Sequence, residues 1–266
     1  MRNFILIFIC SIFIQNCGIV LLTQDLNPEK DNFSTLARLV LAIVPAGSLI
    51  HYFPMDDTIF PNDVTQNGLD MNSYGVDMPV LVSDRFGVPN HALYYNGAAG
   101  TGATTQSAAN GNQVLDGSTS SYTISFWAKG TYPASPGGGS MGIFIAQGNG
   151  FGIQYYKNYP SSCGSLRAFT NNGSVGDVDL IGPCNFVPEI WHQIIFVWDL
   201  EQSTASLYVD NILIAQQTNT GSQRPWNVNA KLSFAYSPLG SNYVEVTIDE
   251  FKIYNMALSP NRYWMP

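Results

Sequence analysis

Charge is scarce in this chain: only 11% of its 266 residues are charged, 19 acidic against 11 basic. The resulting net charge of -8 repels phosphate backbones and excludes nucleic acid as a natural partner. Histidine is also rare, and His51, His91 and His192 lie far apart, none in a His-Glu-x-x-His spacing, so no histidine-built metal centre is written here. The four cysteines include no Cys-x-x-Cys pair, which removes the common redox and zinc motifs. No long amphipathic helical repeat occurs, and the Gly-rich stretches open no helix, which leaves nothing to cradle a phosphate. Gly138-Gly139-Ser140-Met141-Gly142 matches Gly-x-Ser-x-Gly, but a nucleophile elbow needs a strand before it and a helix after it. A Pro/Gly-rich stretch precedes and a strand pattern follows, so the match is incidental and the chain reads as non-enzymatic.

What is abundant is apolar and aromatic surface, 45% and 13% of residues, enough for a substantial core. The stretch WHQIIFVWDLEQSTASLYVDNILIAQQ, 191–217, holds successive apolar strand patterns and a tight turn at Asp210-Asn211. From residue 48 onward, similar short runs alternate with Gly, Pro, Asn and Ser clusters. The pattern predicts strands over 49–53, 80–83, 92–95, 122–129, 142–147, 152–156, 166–170, 178–181, 191–199, 205–209, 212–217, 231–236 and 244–254. Residues 98–113 and 131–140 read as surface loops. The expected fold is therefore all-β, a two-sheet antiparallel sandwich in one domain. Trp127, Trp191 and Trp198 are assigned to its core, and His51 and His192 to structural roles on strands.

The N-terminus has its own logic. Arg2, the apolar run 4–14 and polar Gln15-Asn16 form a signal peptide over 1–16, too short for the roughly 20 apolar residues of a membrane span. Running on through 19–22 gives the alternative, an uncleaved anchor. Cys17 follows in a setting resembling a relaxed bacterial lipobox, where the cysteine would carry the lipid; an ordinary cleaved signal with an incidental cysteine is the competing reading. Residues 17–47 form a tether in which 33–44 makes a short helix ending at Pro45-Ala46-Gly47. The expected organisation is signal 1–16, tether 17–47, folded domain 48–259 and tail 260–266. The expected location is outside the cell, secreted or held at the surface, with membrane contact only through the lipid.

Several motifs then point to a family: Leu49-Ile50-His51-Tyr52-Phe53-Pro54-Met55-Asp56; Asp84-Arg85-Phe86-Gly87 leading to Ala92-Leu93-Tyr94-Tyr95-Asn96-Gly97; Tyr122-Thr123-Ile124-Ser125-Phe126-Trp127-Ala128-Lys129; and Trp191-His192-Gln193. Leu207-Tyr208-Val209-Asp210-Asn211 and the closing run 248–259 continue the series. In order and spacing these resemble the laminin-G-like jelly roll of the concanavalin A-like lectin superfamily, over about 49–259. The resemblance implies two curved sheets in an extracellular binding or adhesion module, often with bound calcium. It fixes no single ligand, because the fold hosts lectins, receptors, glycanases and spacers.

Candidate sites follow. The resemblance places a structural calcium between the opening and closing strands, with Asp56 or Asp57 and Asp249 as ligands; the alternative is a turn at Asp56-Asp57 and a backbone-bonded Asp249. Asp177 and Asp179 read as a solvated face. Cys163 and Cys184, 21 residues apart in a chain expected outside the cell, are the candidate disulfide. A sugar needs an aromatic face beside amide or carboxylate partners, so Tyr156, Tyr159 and Trp226 with Asn158 are the candidate ligand residues, and Tyr155, Asn171 and Asn227 are weaker ones. Glycanases of this fold carry Glu-x-Asp-x-Glu on one strand face; Glu245, Asp249 and Glu250 have the wrong spacing. The expected function is non-catalytic recognition of a glycan or extracellular glycoprotein. The alternatives are a structural or protein-binding module without sugar affinity, and a glycan hydrolase, which would need two carboxylates facing one cleft.

Overall fold

The computed structural model describes residues 49–56, 59, 61–65, 70–73, 78–97, 102–105, 120–130, 140–146, 151–157, 164–170, 178–183, 189–218, 232–237 and 242–258. The signal, the tether with Cys17, the loop residues Asn158, Tyr159 and Trp226, and Cys163, Cys184, Asp57, Asn171, Asp177 and Asn227 lie outside these described residues.

Alternation builds the strands. In chain order they are β1 (Leu49–Phe53), β2 (Met71–Ser73), β3 (Val80–Val82), β4 (Ala92–Asn96), β5 (Ala103–Thr105), β6 (Tyr122–Gly130), β7 (Ser140–Ala146), β8 (Phe151–Lys157), β9 (Gly164–Thr170), β10 (Val178–Ile181), β11 (His192–Asp199), β12 (Thr204–Val209), β13 (Ile212–Thr218), β14 (Leu232–Phe234), β15 (Tyr236–Ser237), β16 (Asn242–Tyr243) and β17 (Glu245–Tyr254). An eight-stranded sheet runs β13-β12-β11-β6-β17-β4-β3, with β1 also on β17. A seven-stranded sheet runs β10-β9-β8-β7-β14-β5-β2, and every recorded pairing is antiparallel. This is the expected jelly-roll sandwich.

Three strands escaped the sequence pattern: β2, β16 and β5, the last inside a stretch expected to be a loop. The run expected as one strand over 231–236 is broken at Ala235, whose φ of 55° divides β14 from β15. The turn at Asp210-Asn211 has φ of 50° and 65°, the type I′ pattern that suits a two-residue hairpin.

One core joins the sheets. Phe251 of β17 meets Phe234 of β14 at 4.7 Å between ring centroids, Phe126 of β6 at 5.5 Å and Phe53 of β1 at 6.1 Å. Phe151 of β8 meets Phe196 of β11 at 5.0 Å. These are edge-to-face or offset arrangements that add to plain burial. Because Tyr122, Ile124, Phe126 and Ala128 face this core, the two-residue period of β6 turns Thr123, Ser125, Trp127 and Lys129 to the opposite face. Trp198 is buried as expected, but Trp127 and Trp191 are only half-buried and belong to the outer face of the eight-stranded sheet.

Candidate functional site on the outer face

Strand β17 organises that face. It pairs with β6 on one flank; on the other, β4 covers Glu245 to Ile248 and β1 covers Phe251 to Tyr254. The changeover coincides with a bulge in the β6 register between Asp249 and Lys252, where Glu250 has a φ of 54°. Asp249 and Glu250 are both buried there.

Arg85 meets the first of them. Its guanidinium donates from Nη1 to Asp249 Oδ2 at 2.9 Å and lies over the rings of Phe86 and Trp127 at 4.3 and 4.6 Å. Glu250 accepts from the Tyr52 hydroxyl at 3.0 Å and pairs with the Lys252 amine at 2.5 Å. Burial and then the neighbouring charge of Glu250 push the Asp249 carboxyl up, Arg85 pulls it back, and Asp56 and Asp84 add to the rise. Asp56 and Asp249 are thus brought into one neighbourhood, as the calcium expectation required. The neighbourhood is built around an arginine, however, and Asp56 Oδ1 lies 3.2 Å from His91 Nδ1. Calcium takes six to eight oxygen ligands. Among the described residues, no group of three or more His, Cys, Asp or Glu side chains is arranged to hold a metal, so these acids alone do not make up a calcium shell.

The other histidines have structural partners, as their strand positions suggested. His51 Nδ1 lies 2.6 Å from Asp63 Oδ2, and His192 Nδ1 lies 2.6 Å from Asp210 Oδ2. Burial would raise the Asp63 carboxyl, but hydrogen bonds from His51, Thr65 and the Tyr52 amide outweigh it and hold the group below the ordinary carboxylate value. Asp179 pairs with Arg167 through contacts of 2.6 and 2.9 Å on an exposed surface.

Beside the arginine cluster lies a groove of about 290 Å³, lined by Val82, Tyr94, Lys129, Gly130, Glu189, Glu245, Val246 and Thr247. Register explains how four elements meet. Thr247 of β17 stands opposite Tyr94 of β4 on one side and Lys129 of β6 on the other, a single cross-strand row on the outer face. Two residues along, Glu245 accepts the Tyr94 hydroxyl at 2.8 Å. The fourth element is the turn before β11: Glu189 has a φ of 70° and its amide donates to the Gly130 carbonyl at 3.1 Å. The Lys129 amine sits 5.3 Å from the centre of the Trp191 ring. Tyr94 is held above its ordinary pKa, first by the bond to Glu245, then by burial and the charges of Glu245 and Glu189, so it remains a donor at neutral pH.

Glycine permits the packing. A Cβ on Gly97 would lie 2.8 Å from the Glu245 amide nitrogen, and one on Gly130 would lie 2.8 Å from the Glu245 carbonyl oxygen. The head of β17 is therefore clasped between two positions that tolerate no side chain.

Of the expected sugar-binding residues, Tyr155 and Tyr156 are among the described ones, and both belong to the other sheet. Tyr156 falls on β8 in the other sheet, and Tyr155 is buried in the core with 2% exposure, which removes it as a stacking platform. The groove's own residues stood partly in the quoted motifs, at Tyr94 and Lys129, with Trp191 beside the lysine. The outward phase of β6 was the signal that could have marked Lys129.

Comparison with known proteins agrees with this architecture. The profile of the concanavalin A-like lectin/glucanases superfamily matches residues 96–262, more than half of the chain, and the chain belongs to that superfamily. Comparison with curated protein sequences finds no match. Among solved structures, the binding domain of Paraclostridial Mosquitocidal Protein 1 is similar at 17% identity and a TM-score of 0.61, over 80% of this chain and 50% of that one. Domain 4 of a GH43 extracellular arabinanase from Geobacillus stearothermophilus, solved with arabinotriose, is similar at 17% identity and a TM-score of 0.58, over 81% of this chain and 96% of that one. A structure from botulinum neurotoxin type C, whose cell entry depends on interaction with two ganglioside molecules, is similar at 13% identity and a TM-score of 0.60, over 81% of this chain and 50% of that one. The chain thus spans about half the length of the toxin chains and nearly all of the arabinanase domain. At these identities the likeness speaks for the fold. No helix among the described residues is long and apolar enough to cross a membrane.

Proposed function

We propose that this domain is a non-catalytic glycan-binding module working outside the cell, and that its saccharide sits in the groove between Tyr94, Lys129, Glu189 and Glu245. The observation that carries this reading is the groove itself: phenol, ammonium and carboxylates from four elements border one cavity, with the Trp191 ring next to Lys129. Saccharide recognition needs such a mixture, an apolar ring face for C–H contact and fixed polar groups for hydroxyls. Superfamily membership and the arabinotriose-bound arabinanase domain support the ligand class. The expected partner is a free glycan or the glycan of an extracellular glycoprotein, and export, with or without lipid on Cys17, supplies access to it.

The test is a glycan array read with wild type, Tyr94→Phe, Trp191→Ala and the loop variants Tyr159→Ala and Trp226→Ala, each checked for unchanged melting. Loss of binding in the groove variants supports the groove. Loss confined to Tyr159→Ala and Trp226→Ala would move the site to the loops, and no saccharide binding at all would leave a structural or protein-binding module.

One observation favours a second reading, glycan hydrolysis: Glu189 and Glu245 border the same cavity. Release of reducing ends from the array's best ligand, abolished in Glu245→Gln, would establish it.

A further inference from the structure

Resting on the reading of this groove as a saccharide site, we infer that Glu189 and Glu245 act as a charge filter, making it a receptor for uncharged sugar units and excluding sugars that carry a carboxylate, such as sialic or uronic acids. Among the described residues, the charged side chains lining the cavity are Glu189, Glu245 and Lys129, two negative and one positive, each from a different element. Their placement is fixed by backbone geometry. Glu245 is clasped between Gly97 and Gly130, and Glu189 is held at a φ of 70°, a costly conformation for a residue with a side chain. The Glu189 amide is tied to Gly130, which anchors the backbone of this exposed residue beside the cavity.

Both carboxylates act on the same point. The Tyr94 phenol registers the charge of each, which places a ligand in contact with Tyr94 inside their combined field. Among the described residues the one cation of the lining is Lys129, 5.3 Å from the Trp191 ring centre, and its single charge offsets only one of the two carboxylates. Arg85, on the same sheet face, is already bonded to Asp249. A sugar carboxylate entering here meets two like charges, Glu245 half-buried and Glu189 at the exposed rim, a standard means of rejecting a competitor that otherwise fits. A hydroxyl-only sugar meets carboxylate acceptors, the Tyr94 phenol oxygen, whose own proton goes to Glu245, and the Lys129 ammonium as donor.

The experiment compares pairs of oligosaccharides that share a neutral core and differ only in a sialic or glucuronic acid cap, by calorimetry or array titration at low salt. Wild type is expected to bind the neutral member at least tenfold more tightly, about 1.4 kcal/mol. Glu189→Gln/Glu245→Gln is expected to narrow that ratio toward one, and Lys129→Gln to widen it. These opposite movements are not what a folding defect produces. Raising the ionic strength should narrow the wild-type ratio as well. Equal or tighter binding of the acidic member by wild type overturns the inference and leaves the saccharide site standing, as does a ratio that the double variant does not change. Failure to bind any member of any pair overturns the saccharide site and the filter together.

Discussion

At Arg85 a single side chain ties the β3–β4 connection to two strands, bonding Asp249 and lying over the rings of Phe86 and Trp127. Arg85→Met keeps most of the packing and removes the charge, leaving Asp249 buried without its guanidinium. Breaking a buried pair from one side costs about 3–5 kcal/mol, and denaturant titration is expected to find a loss of that order. Because a protein cation already occupies this place, wild-type melting is expected to be the same with calcium and with chelator. A chelator-induced fall of several degrees would instead show that Asp56 and Asp249 hold calcium. Sequence could not anticipate this arrangement: Arg85 stood in a familiar motif, but no one-dimensional pattern pairs position 85 with position 249. Asp56 or Asp57 and Asp249 were read as ligands because the family resemblance implies a structural cation between the opening and closing strands.

Among the elements, β6, β11 and β17 were legible because long alternating runs declare both a strand and its two faces. Strands β2 and β5 were not. Met71-Asn72-Ser73 and Ala103-Thr104-Thr105 are three-residue runs without an apolar period, and they exist by pairing with each other and, for β5, with β14. The groove was hidden for a related reason. Tyr94, Lys129, Glu189 and Glu245 are ordinary residues at their own positions and become a site only through the register of β4, β17 and β6. Trp191 was misassigned because a tryptophan beside an apolar strand reads as core, whereas its neighbour Lys129 faces outward. At this scale Gly130 is decisive. Gly130→Ala puts a methyl 2.8 Å from the Glu245 carbonyl oxygen and 2.9 Å from the Tyr155 hydroxyl, against backbone that cannot swing aside. The expected cost is about 1–3 kcal/mol, with saccharide affinity falling in parallel as Glu245 shifts. An unaltered melting curve and unaltered affinity would show that the strand ends are slacker than described.

For the whole molecule, the two sheets share one aromatic core, and neither has an inner face of its own to retain without the other. Unfolding is therefore expected as a single calorimetric transition. Phe251→Ala, which removes a ring touching β1, β6 and β14, should lower stability by about 3–5 kcal/mol while keeping that transition single. Two resolved transitions would mean that the sheets melt independently.

The central place of β17 has one more consequence. This strand is the last of the described fold to be synthesised, yet β6, β4 and β1 all pair against it. A nascent chain still lacking it has no wall between its earliest strands and the middle of its sheet, so closure waits for the polypeptide to be almost complete. Such a timetable would leave a chain exported as proposed above without a fixed shape while it crosses a membrane.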